Sequence, residues 1–142
     1  MNDERNRSRK APALADYVAG AALANSLAWL TLGVIAILNF NPNTAVQLLF
    51  LMYPLGAVVA GFLVSRKLIQ DDLKVGLKTG IGAFVLHIYV FMGVLELIWG
   101  TRVLFLGDHI LILGSFILGG LAGAFLYSRF LYSRSSQGLK PK

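Results

Sequence analysis

The sequence predicts an all-α integral membrane protein, a four-helix bundle built from two parallel-repeat helical hairpins with both termini in the cytoplasm. Hydrophobic residues make up 56% of the 142 positions and charged residues only 14%, well below the ~25% of an ordinary soluble domain. Four apolar runs, approximately 14–40, 45–64, 75–99 and 110–127, each approach the ~20 residues that cross ~30 Å of hydrocarbon. The positions of the charges then give the orientation.

Twelve of the thirteen Lys and Arg residues fall in three clusters that a four-span topology places on one side of the membrane, and Arg102 alone lies on the other. Basic residues collect on the cytoplasmic side, so we expect a multi-pass protein of the cell (plasma) membrane. The net charge of +6 then indicates anionic lipid headgroups, rather than nucleic acid, as the partner. The headgroup-facing candidates are Arg66, Lys67, Lys74, Lys78 and Arg129.

The chain divides into a cytoplasmic N-terminal tail (1–13), a transmembrane domain (14–131) and a cytoplasmic C-terminal tail (132–142). Both tails are polar, and we expect them to be disordered. The repeat halves of the transmembrane domain are 14–70 and 71–131. Pro42 and its asparagine neighbours end the first span, while Thr44 and Gln47 have capping-box spacing at the start of the second.

The halves share a repeated segment. Residues 55–68 and 118–131 are identical at seven of fourteen positions, and each segment is a small-residue helix that ends in Ser-Arg. Both halves enter from the same side, so we expect a pseudo-two-fold axis along the membrane normal. The alternative is convergence, because a few apolar residue types dominate every membrane helix.

Small residues four apart lie on one helix face and let another backbone approach closely, as in GxxxG motifs. They recur on all four spans, more often than one compact bundle needs, which predicts self-association or other membrane subunits. The helix-packing candidates are Gly56, Ala60, Gly76, Gly80, Gly119 and Gly123.

The Gly-rich segments 56–67, 76–82 and 119–123 resemble those of small four-span prokaryotic membrane proteins of uncharacterised function. A fainter similarity is to four-span proteins implicated in moving polyprenyl-linked sugars, whose even-numbered spans end in Phe-x-x-polar-Arg. Here Ser65 and Ser128 stand where that family tends to have Asn. The second resemblance implies a carrier of lipid-linked substrates.

His87 lies near the middle of the third span, and an ionisable residue at that depth is a functional hypothesis by default. The alternative is a structural hydrogen bond across a helix interface, for example to Asn25 or to the Phe50 carbonyl. Asn25, Ser26, Pro54 and His87 form the candidate intramembrane polar layer. Glu96 is nine residues after His87 and faces the opposite side of that helix.

The sequence contains no cysteine and no recognisable catalytic or phosphate-binding motif, so we expect no enzyme and no cofactor or metal. A single intramembrane histidine without a second ligand is not a metal site. The predicted function is that of a non-catalytic membrane protein that acts through helix packing, as a homo-oligomer or an accessory subunit of a membrane assembly. The alternative is a small carrier or flippase-like transporter of a lipid-linked or amphipathic substrate.

Overall fold

The computed structural model describes residues 13–38, 41–68, 73–90 and 106–136. Within those ranges the chain forms four helices: α1 (Leu14–Leu38), α2 (Pro42–Leu68), α3 (Leu73–Val90) and α4 (Leu106–Ser136). Each contains a segment long and apolar enough to cross a membrane, namely Leu14–Ile35, Gln47–Lys67, Leu73–Val90 and Gly107–Phe130. For the residues described, the prediction of an all-α fold with four helices able to span a membrane is confirmed.

The start of α2 and the end of α4 differ from the predicted ones. α2 begins at Pro42, before the predicted start at 45, because proline needs no N–H donor in a first turn and its φ is already helical. α4 continues to Ser136, so residues 132–136 of the predicted C-terminal tail are helical. No Gly or Pro interrupts the chain between 124 and 137, and nothing therefore stops the helix at 131.

Successive helices run in opposite directions. Within the first hairpin, Gly20 of α1 lies against Val64 of α2, whereas Gly56 of α2 lies against the carbonyl of Ala24. Residue numbers rise on one helix as they fall on the other, so the pair is antiparallel. The second hairpin is antiparallel in the same way, with the contact pairs Gly76–Gly120 and Gly80–Phe116.

The first helices of the two hairpins, α1 and α3, are parallel neighbours, and so are the second helices, α2 and α4. On α4, Gly119 lies against Pro54 and Gly123 against Val58, so residue numbers rise together on α2 and α4. The same holds for α1 and α3, through the pairs Gly20–Thr79 and Asn25–Ala83. The beginning of α1 and the end of α4 therefore lie at the same end of the bundle.

The hairpins lie side by side, with the most extensive contact between α2 and α4. α2 also packs against α3, whereas α1 and α4 scarcely touch within the described ranges. A two-fold axis relating the hairpins would make these two pairs equivalent, so the packing departs from the predicted two-fold relation. The physical reason is that both α2 and α3 pack on the glycine-rich face of α4, which draws them together.

The interior contains small and polar side chains, and the exterior carries large apolar ones. Alanines make up most of the buried hydrophobic core, and Asn25, Ser65, Thr79 and His87 are buried among them. The exposed side chains include many of Leu, Ile, Val and Phe along all four helices. This distribution is the one expected of a bundle surrounded by hydrocarbon, where small residues pack helices together and polar groups face inward.

Candidate functional site

Backbone contacts at glycines set the distance between helices. A Cβ added at Gly80 would lie 2.5 Å from the carbonyl oxygen of Phe116, and one at Gly119 would lie 2.6 Å from that of Pro54. Gly76 lies equally close to the backbone of Gly120. Because carbonyl oxygens of a helix cannot move aside, any side chain at these positions would push the helices apart.

The remaining packing candidates also lie between helices. Gly56 lies against the Ala24 carbonyl, and Gly123 lies against the Val58 carbonyl. Ala60 is fully buried. Three further glycines outside the predicted packing set also make close contacts, and these are Gly20, Gly61 and Gly120. The available signal was that each of these glycines lies close in sequence to other small residues. Such a pattern does not say which small residue contacts a partner helix.

These contacts correct one step of the sequence argument. The small-residue faces of all four spans were interpreted as exceeding what one bundle needs, yet eight glycines of the described ranges are used in contacts within the chain. They are Gly20, Gly56, Gly61, Gly76, Gly80, Gly119, Gly120 and Gly123. Association with a partner must therefore be argued from small residues that face outward.

Such residues form one face of α1. Ala15, Ala19, Ala22 and Gly33 are exposed and Ser26 is half-buried, and at 100° per residue all five lie within about 40° of one direction. A Cβ at Gly33 would meet nothing within 4 Å. By contrast, the outward face of α2 carries large side chains, namely Leu51, Leu55, Val59 and Leu63. We call the five α1 residues the small-residue face.

Asn25 joins α1 to α3 inside the bundle. Its side chain is fully buried, and its Nδ2 donates hydrogen bonds to the carbonyl oxygens of Ala21 and Ala83, both at 2.9 Å. The Ser26 hydroxyl instead donates to the Leu23 carbonyl of its own helix at 2.7 Å. Of this adjacent pair, only Asn25 makes a hydrogen bond between helices.

His87 lies one turn after Ala83 on α3 and is fully buried. Its ring packs against the edge of Tyr53, with centroids 4.9 Å apart and planes at 81°, and it lies 5.9 Å from the Phe116 ring centroid. Tyr53 and Phe116 also contact each other, at 5.3 Å. Three helices thus meet at one aromatic cluster, defined as Tyr53, His87 and Phe116.

The structure therefore brings Asn25 and His87 to neighbouring depths. The third predicted member of the layer, Pro54, is half-buried in an unbroken α2 beside Tyr53. Sequence reasoning missed Tyr53 and Phe116. In a span that is apolar on every side, the spacing of residues does not show whether an aromatic side chain faces the protein core or the lipid. An imidazole enclosed by two aromatic rings is suited to holding helices together.

No group of three or more His, Cys, Asp or Glu side chains that could hold a metal ion occurs in the ranges that the structure describes. Several residues discussed from the sequence lie outside those ranges, so the structure does not place them. They include Glu96 and Arg102.

One end of the bundle is basic. Arg66, Lys67, Lys74, Lys78 and Arg129 are all exposed there. Lys67 forms an ion pair with Asp16 of α1, Lys78 lies 5.9 Å from the centroid of the Tyr17 ring, and Arg129 lies 5.2 Å from that of Phe125. The Lys67 side chain is 69% exposed, so water screens this ion pair and it contributes little to stability.

A groove of about 320 Å³ runs along the seam between α1 and α3. Its walls are apolar, and they include Tyr17, Val18 and Ala21 on α1 and Gly82, Val85 and Tyr89 on α3. Asn25 and His87 are not among the residues that line it.

The helices, the inverted distribution of side-chain size and the buried polar layer together define a multi-pass helical membrane protein. Comparison of the chain with models of protein families, with curated proteins and with solved structures gives no match. The function is therefore argued from the molecule's own surfaces.

Proposed function

We propose that the protein is a non-catalytic membrane protein that acts through helix packing, as a homo-oligomer or an accessory subunit of a membrane assembly. The observation that carries this proposal is the small-residue face of α1, which no described helix of the same chain covers. It is continuous from Ala15 to Ser26, and eleven residues at 1.5 Å each cover about 16 Å, half of the ~30 Å of hydrocarbon. Gly33 lies on the same side further along the helix, beyond the large side chains of Trp29 and Leu30.

In a membrane, apolar character does not drive helices together, because lipid tails are as apolar as leucine. Close backbone approach does, and small residues permit it. The protein already uses this chemistry internally, where Gly56 lies against Ala24 on the other side of the same α1 helix. A partner helix placed on the small-residue face would gain equivalent van der Waals contacts.

The charges support an orientation with both termini in the cytoplasm, in the cell (plasma) membrane. The five exposed basic residues lie at the end of the bundle where α1 begins and α4 ends. At the opposite end, residues 36–38, 41–47 and 106–110 include neither Lys nor Arg. Basic residues on the cytoplasmic side are the general rule for short loops.

The degree of burial supports the proposed internal repeat. In 55–67 and 118–130, eleven of thirteen corresponding residues share the same state of buried, half-buried or exposed. Phe62 and Phe125 differ, since the first is half-buried and the second exposed, and Ser65 and Ser128 differ in the same direction. Duplication of a hairpin accounts for this agreement, whereas Phe62 is more buried than Phe125 where it packs against the rings of Tyr127 and Phe130 on α4.

The alternative, a small carrier of a lipid-linked or amphipathic substrate, requires a cavity that presents the polar layer. Asn25 and His87 are both fully buried by packing, and the α1–α3 groove is lined by other, apolar residues. The packing role therefore agrees better with the geometry.

Native mass spectrometry after gentle detergent extraction tests the proposal. We expect the wild-type chain to emerge as an oligomer or with a co-purifying membrane subunit. Ala19→Leu and Ala22→Leu should convert it to a monomer, because each places a branched side chain on the small-residue face. Ala122→Leu is the matched control, since Ala122 is exposed on α4 next to large residues. A wild-type monomer with water around Asn25 and His87 would overturn the packing role.

A further inference from the structure

We propose that the groove between α1 and α3 binds one anionic phospholipid, with an acyl chain along the groove and the phosphate at Lys78. This site goes beyond the packing role, because it lies at a seam between two helices of one chain. It requires no second protein.

The groove is open to the surroundings of the bundle. Val18 on one wall and Val85 on the other are more than half exposed, at 54% and 57%. In a bilayer this opening faces acyl chains. An apolar channel that opens sideways into lipid is suited to a hydrocarbon chain, because the chain enters without crossing a polar barrier.

The groove exists because Gly82 has no side chain. A Cβ there would lie 3.8 Å from the Cβ of Ala21 and 4.0 Å from the carbonyl oxygen of Tyr17, which is ordinary van der Waals contact. α1 and α3 are therefore not held apart by a clash, and the space beside Gly82 is left by the small size of Gly82 and Ala21. Because Gly82 lines the groove, a larger side chain at position 82 would occupy part of it.

A cation stands at the basic end of this groove. Lys78 precedes Gly82 by one turn, so both lie on the same face of α3. Its ammonium lies 5.9 Å from the ring centroid of Tyr17, and Tyr17 itself lines the groove. An exposed lysine at a membrane interface extends its charge towards the headgroups. A phosphate above the groove would therefore meet Lys78.

The distance from Lys78 to the far end of the groove fits a lipid of one leaflet. From Lys78 to Tyr89 is eleven residues, or about 16 Å along α3, which is half of the ~30 Å hydrocarbon thickness. A partner transmembrane helix would extend over the whole thickness. An acyl chain from the leaflet at the basic end extends over half of it, and this match favours the lipid as occupant.

The test is a lipid titration of the delipidated full-length protein in detergent, followed by native mass spectrometry. Phosphatidylglycerol and phosphatidylcholine with the same acyl chains are the two probes. We expect the first phosphatidylglycerol to bind about fivefold more tightly than phosphatidylcholine, the effect of one lysine near a headgroup. Lys78→Gln should remove that preference. Arg102→Gln, which neutralises the one basic residue that the four-span topology places on the other side of the membrane, should retain it.

Filling the groove gives an independent readout. Gly82→Leu should weaken the binding of both lipids, whereas Gly114→Leu should leave both unchanged, because a Cβ at Gly114 meets nothing within 4 Å. Equal affinity of the wild type for the two lipids would overturn the proposal. So would equal effects of Lys78→Gln and Arg102→Gln, unchanged binding in Gly82→Leu, or displacement of the lipid by inorganic phosphate.

Discussion

The contact between α4 and α2 at Gly123 permits a quantitative prediction. In Gly123→Ala the new Cβ would lie against the Val58 carbonyl and 2.7 Å from the backbone nitrogen of Phe62. Ordinary contact begins at about 3.4 Å, so the helices must separate by at least ~0.7 Å along the most extensive interface of the bundle. Overpacking of this kind costs about 1–3 kcal/mol.

Gly114→Ala is the matched control, because it makes the same substitution on the same helix in open space. Alanine has the higher helix propensity, so the control should gain up to about 1 kcal/mol. Because both substitutions have the same gain in propensity, the two variants should differ in the free energy of unfolding by the cost of overpacking, about 1–3 kcal/mol. Tryptophan fluorescence during unfolding in mixed micelles of mild detergent and dodecyl sulfate measures the difference. Equal stability of the two variants would refute the reasoning that backbone contact at Gly123 limits the approach of α4.

Two further predictions concern the polar layer and the topology. Asn25→Leu removes the hydrogen bond to the Ala83 carbonyl and should lower the free energy of unfolding by about 0.6 kcal/mol and by no more than ~1.7 kcal/mol. Ser26→Ala is the control and should have almost no effect. Thermal unfolding in detergent compares the two variants, and a loss above ~3 kcal/mol in Asn25→Leu would contradict the structural role of Asn25. Cysteines introduced at Asn43 and Ser136 should react with a membrane-impermeant thiol reagent from opposite sides of the membrane, and labelling of both from one side would exclude the four-span topology.

The sequence predicted the four spans because the length of an apolar run is fixed by membrane thickness, which is independent of the rest of the fold. It predicted less well where a helix begins and ends. Pro42 begins α2 although the capping pattern at Thr44 suggested a later start. Proline at the first helical position and a capping box both indicate the start of a helix, and here the proline comes first along the chain.

The sequence could not predict which helix packs against which. Gly119 and Gly123 clearly belonged to a packing face, but every span carries such a face, and spacing alone does not say that theirs meets α2. The same limit applies to His87. Its depth followed from the length of the span, whereas its contacts with Tyr53 and Phe116 depend on how three helices are arranged.

The glycine contacts between α4 and α2 also have a consequence for the order of assembly. α2 is synthesised before α4, so the face of α2 that carries Pro54 and Val58 contacts lipid until the last span is inserted. Membrane helices insert before they associate, and the most extensive interface of this bundle is thus the last to close. A substitution at Gly119 or Gly123 would then leave four correctly inserted helices with an open interface, a defect of docking that a topology assay does not detect.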